Sequence, residues 1–139
     1  MEKTSRRRLK ISSLNDEYVL DLFNFKRFND DSSIYFELFC KSNSFEIKNF
    51  DFFADFNSFK LFISKFKEIY TKLSGEAIIE TSYENDIVKI IALNNGHIQI
   101  HCEVHKADEF CRIKFCLDQT YLSNLITEID LIYEDLELL

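Results

Sequence analysis

Between residues 9 and 53, apolar and polar positions alternate in short runs. The runs 9–14, 17–28, 33–41 and 44–53 are rich in Phe, Ile, Val and Tyr, and the polar clusters LNDE, NDDSS and KSNS separate them. A period of two bounded by Asn, Asp and Ser predicts strands joined by tight links. The period then lengthens. Phe59, Phe62, Ile63, Phe66, Ile69, Tyr70 and Leu73 recur three and four apart, which predicts an amphipathic helix capped by Asn57 or Ser58 and stopped at Gly75. Strands resume at 76–83, 86–94, 97–106 and 109–117, with Asn95-Gly96 marking a type I′ hairpin turn. A second helix follows from about residue 119, with Leu122, Leu125, Ile126, Ile129, Ile132, Tyr133 and Leu136 on one stripe and Asp118 or Thr120 as its cap.

This order predicts an α+β domain: an antiparallel sheet of about seven or eight strands with both helices packed on one face. Each half reads as about four strands and a helix, but the two halves share too few residues to establish a duplication. The uncovered sheet face would carry Tyr35 and Phe39 beside Glu37 and Lys41, a mixture suited either to recognition or to burial under a loop.

The run GHIQIHCEVH tests for metal chemistry. Ile98, Ile100, Cys102 and Val104 alternate with His97, Gln99, His101, Glu103 and His105. On a strand the same-face spacing is roughly 6.6 Å per two residues, so successive histidines stand about 13 Å apart. Zinc ligands lie about 2 Å from the ion, so no two of these histidines share one unless a partner strand supplies the rest. Only His101 and Glu103 are near enough to converge. The run reads as the wet side of a strand, and no metal or cofactor is expected.

Composition narrows the classes further. The 139 residues suit one domain over 1–139; 46% are hydrophobic, with 15 Phe and 6 Tyr, so disorder is excluded. With no proline and two glycines, Gly75 and Gly96, the chain has no Gly-rich phosphate loop, and GxSxG, Walker A and HExxH are absent. Cys40, Cys102, Cys111 and Cys116 form no CxxC pair, and the N-terminus has no apolar signal region. Free thiols in a cytoplasmic protein are therefore expected, with no membrane span.

Net charge is −7, unevenly placed. Residues 1–10 hold five basic groups and one acidic, a local +4 that leaves −11 on the rest. Residues 1–8 read as a flexible basic tail. Residues 118–139 carry Asp118, Glu128, Asp130, Glu134, Asp135 and Glu137 with no Lys or Arg. Such a body repels phosphate, which argues against nucleic acid and for a basic partner or simple solubility.

The second half has a layout of known kind: a helix ending LSGEAII, then NNGHIQIHCEV, then FCRIKFCLDQTYL opening the last helix. It resembles the WapI-type immunity proteins of bacterial polymorphic toxins, with their G-[HKR]-I-x-[IV] strand and F-x-x-DQ-[ST]-x-L helix entry. The likeness covers roughly 45–137. Its most specific element is Asp118-Gln119-Thr120-Tyr121-Leu122, supported by Gly75-Glu76-Ala77 and Gly96-His97-Ile98. The resemblance implies a non-catalytic cytoplasmic protein that binds the C-terminal toxin domain of a contact-dependent or Rhs-like effector and blocks its active site or substrate access. The toxin would be basic, for instance a nuclease, and the protein a monomer or weak dimer when alone. Asp118 is a helix cap in this reading, so contact falls to exposed acids. The candidates are Glu128, Asp130, Glu134 and Asp135 of the last helix, Glu80, Glu84 and Asp86 of the 80–86 region, then His101 and Glu103. The competing readings are a self-assembling scaffold or adaptor and, less favoured, an enzyme using the histidine face.

Overall fold

The computed structural model describes residues 2–28, 32–82 and 84–137. The NDDSS link and the end of the strand expected over 76–83 thus fall partly outside the described residues, at 29–31 and Tyr83.

The first sheet is built around β3 (Val19–Phe28). The strands β1 (Glu2–Ser5) and β2 (Leu9–Ser12) both pair antiparallel with it, β1 against Phe25–Phe28 and β2 against Val19–Leu22. Beyond β3 come β4 (Ser33–Lys41) and β5 (Glu46–Asp55). Two register shifts bend this sheet, one beside Asn24 at φ 55 on β3 and one beside Asn49 at φ 47 on β5. Asparagine tolerates left-handed backbone, so each bulge sits where the chain can adopt it at least cost.

Residues 2–5 therefore depart from the flexible tail expected over residues 1–8. Residues 2–5 pair with β3, and buried Ser5 donates through Oγ to Asp135 Oδ2 at 2.8 Å. Hydrophobic periodicity could not reveal this strand, because its one buried side chain is a serine satisfied by a polar bond.

The first helix, α1, spans Phe56–Lys72 and buries Phe56, Phe59, Phe62, Ile63, Phe66 and Ile69. Its N-cap is Asp55, in extended backbone and without a side-chain capping bond, rather than Asn57 or Ser58. At the other end Leu73, not Gly75, takes the left-handed conformation (φ 56, ψ 32), and its N–H bonds Ile69 O. Leu73 and Tyr70 leave the expected apolar stripe; they are 52% and 40% exposed.

The second unit is a four-stranded meander, β6 (Glu76–Glu80), β7 (Ile87–Ala92), β8 (His97–Lys106) and β9 (Glu109–Asp118). A 3-10 turn over Gln119–Leu122 leads into α2 (Leu125–Glu137). The β7–β8 hairpin is closed by Leu93 N–H donating to His97 O at 2.8 Å. Within its link only Gly96 has positive φ (81°), so the turn is a three-residue loop with glycine in the last, left-handed place, not type I′.

The class is α+β with antiparallel pairing throughout, and the described strands form two sheets where periodicity suggested one. Alternation reports that a strand is half-buried, not which strand lies beside it. The chain changes sheets through α1, which touches β4 and β5 of the first sheet and β6 and β7 of the second; α2 returns to β1, β2 and β3. Each half is a meander followed by a helix, so the duplication suggested by the sequence exists at the level of topology. One continuous core joins the halves, led by Phe25, Phe36, Phe52, Phe62 and Phe66.

Candidate partner-binding surfaces

The histidine strand β8 alternates as expected, with Ile98, Ile100, Cys102 and Val104 buried and the polar set half-buried or exposed. His101 Nε2 lies 3.5 Å from Glu103 Oε1, and Arg112 Nε donates to the same oxygen at 3.0 Å. Burial pushes the His101 imidazole below its usual range, helped by the Lys114 ammonium and opposed by Glu103. Burial raises the Glu103 carboxyl, but the Arg112 bond and charge, with His101, outweigh it and hold it low. Glu103 is thus already neutralised within the sheet. Among the described residues, no three His, Cys, Asp or Glu side chains gather closely enough to hold a metal ion.

The cysteines are all unpaired in disulfides. Cys40 of β4 and Cys102 of β8 meet in the core, and the Cys40 sulfur together with burial pushes the Cys102 thiol well up, away from the thiolate that nucleophilic chemistry needs.

The acids of α2 are less available than their sequence suggests. Arg7 reaches Glu128 (3.6 Å) and Asp135 (3.5 Å), Ser5 donates to Asp135, and Lys67 of α1 pairs with Asp130. Glu134 is exposed and has no ion pair among the described residues. The basic N-terminal residues and the acidic helix are partners within the molecule.

Asp86 is corrected outright as a surface contact, because it is 0% exposed. It locks the 81–86 turn to β8: His105 N–H donates to its Oδ1 at 2.7 Å, its own N–H donates to Thr81 Oγ1 at 2.9 Å, and Thr81 N–H donates to its carbonyl. Burial raises its carboxyl, outweighing the backbone bond and charge from His105. A raised carboxyl favours the protonated folded state, so its contribution is fully present below the ordinary 3.8 and is lost as pH rises through the folded value. Asp86→Asn should therefore gain stability relative to the native chain as pH rises from that point toward neutrality. Urea titrations across that window check it; a difference that shrinks with rising pH contradicts the assignment. Glu80, just before the turn, and Glu84, within it, are exposed and have no ion pair among the described residues.

Between α1 and β6 runs a groove. Two depressions of about 380 and 330 Å³ follow one another along it and share Leu61 and Ile78. Asp55, Glu80 and Ser58 line one end, and Glu76, Glu68 and Lys65 the other. Leu61 is 58% exposed. Asp55, Glu76 and Glu80 have no ion pair among the described residues, whereas Glu68 is matched by Lys65 and Lys72. Sequence reasoning found Glu80 and missed the groove, since Leu61 and Ile78 look like ordinary members of apolar runs.

The short motifs that carried the family likeness meet at one end of the second sheet. Ala92 N–H donates to Gly75 O, Gln119 N–H donates to Gly96 O, and Asp118 Oδ1 accepts from Thr120 N–H at 2.9 Å as the cap of the 3-10 turn. These bonds fix the corner where strands turn into helices, so the motifs build the fold rather than a ligand site.

Among solved structures, MRP1/MRP2 of Trypanosoma brucei is similar at 8% identity and a TM-score of 0.54, covering 96% of this chain and 85% of that one. At that identity the likeness is one of fold. No curated protein matches the chain. The match to the family described as "Immunity protein WapI-like family" runs over residues 2–137, N-terminal strands included, and the chain belongs to that family.

Proposed function

We propose that this protein is the immunity partner of a polymorphic toxin, binding the toxin's C-terminal domain in the cytoplasm and blocking its active site or substrate access without catalysis of its own. The family match over residues 2–137 carries the reading. The charge distribution supports it. Acids that the fold does not neutralise, Glu80, Glu84 and Glu134 among them, leave a negative surface that would steer a basic toxin such as a nuclease.

The test is to take the variable C-terminal domain of a large secreted protein encoded directly upstream as the candidate toxin. Co-expression should restore growth to cells producing that domain, and the two should elute as one complex from size exclusion. Growth that stays arrested while both proteins are soluble, with no complex, overturns the proposal. Self-association of this chain alone, without toxin binding, would support the scaffold reading instead.

A further inference from the structure

We infer that the groove between α1 and β6 receives an extended, basic segment of the partner, which takes backbone hydrogen bonds from β6. The inference deepens the immunity reading and rests on it.

The argument begins with the ladder. Ala92 N–H donates to Gly75 O and Thr81 N–H to Asp86 O, so residues 75 and 81 direct their backbone groups toward β7. Because directions alternate along an antiparallel strand, Ala77 and Ile79 do likewise, and Glu76, Ile78 and Glu80 direct theirs away. Only β7 pairs with β6 among the described residues. Three consecutive outward positions thus present N–H and C=O groups to the groove. An extended chain satisfies such a row in a way that a small molecule cannot.

Side chains specify the occupant. Ile78 and Leu61 form an apolar middle, and Glu76, Glu80 and Asp55, without ion pairs among the described residues, stand toward its ends. A segment alternating Lys or Arg with one central aliphatic residue would place charge against charge and apolar against apolar. A second copy of this chain fits badly: antiparallel β6–β6 pairing would set Glu76 opposite Glu80, like charge against like.

The experiment uses the full chain, the toxin domain that the growth test pairs with it, and three variants. Ile78→Pro removes one outward N–H without touching the β7 ladder. Glu76→Lys with Glu80→Lys reverses the charge. Lys60→Glu, on exposed helix surface outside the groove, is the control. Far-UV circular dichroism checks the fold of each. The expected result is slowed amide exchange at Glu76, Ile78 and Glu80 in the complex, and a Kd raised by about tenfold or more in the β6 variants but not in the control. If toxin binds the native chain while folded β6 variants match it within about twofold and those amides stay unprotected, the groove is overturned and the immunity reading stands. If toxin does not bind the native chain, both fall. Protection of these amides in the free chain as its concentration rises would assign the groove to a second copy and overturn the inference. Should Ile78→Pro fail to fold, the charge-reversed variant and the exchange measurement still decide.

Discussion

Phe36→Ala should destabilise the protein by about 3–5 kcal/mol, a loss comparable with a large part of a domain's whole stability. Phe36 lies on β4 with no exposed surface. Its ring stacks on Phe52 at 4.8 Å with planes 13° apart and meets Phe25 at 5.5 Å, and Phe25 in turn meets Phe59 of α1. Truncation removes the middle of a chain of rings that ties three strands to the first helix. Partners held by bonded backbone cannot close such a gap fully, so a cavity cost adds to the lost transfer energy. Urea unfolding checks this as a lower midpoint at unchanged slope, and Phe36→Leu should recover most of the loss. A loss below about 1 kcal/mol for the alanine variant would mean that the ring row collapses freely and is not the structural centre.

The elements that periodicity specifies are those whose burial is apolar. Strands β2 to β9, and the buried stripes of both helices, are legible because the buried face of each is chiefly hydrocarbon. What escapes is decided by polar or long-range terms. The strand at Glu2–Ser5 depends on a serine hydroxyl meeting a carboxylate 130 positions away. The end of α1 falls on Leu73 rather than on the nearby glycine, so the residue best suited to a left-handed position is not the one that occupies it. Asp86 looks like a surface acid in an acidic loop, and only the fold shows that His105 N–H draws it inward.

The same division governs the candidate site. Sequence marks acids, but their availability is a tertiary property. Arg7 and Lys67 withdraw Glu128, Asp135 and Asp130 from α2, and Arg112 withdraws Glu103 from β8. Glu80, Glu84 and Glu134 keep their charge toward solvent, and only the first of these lines the groove that a linear reading could not find.

Reversing Glu80 and Glu84 together to lysine should slow association with a basic toxin domain by roughly ten- to a hundredfold at low ionic strength, the range open to electrostatic steering. Glu134→Lys should have the smaller effect, because it reverses one charge rather than two and Glu134 does not line the groove. Steering by exposed charge is screened over a Debye length of about 30 Å at about 0.01 M salt and about 3 Å at about 1 M. The native and reversed chains should therefore converge in on-rate as salt rises, and the reversed chain should have the flatter dependence. Dissociation should change less, except where Glu80 itself pairs across the groove. Glu128→Lys is the informative contrast: losing its pairing with Arg7, it should affect stability more than on-rate. Stopped-flow association at several salt concentrations decides the matter. On-rates unchanged by the Glu80 and Glu84 reversal at the lowest salt would remove that face from the encounter, and an acceleration would mean that the toxin presents negative charge there.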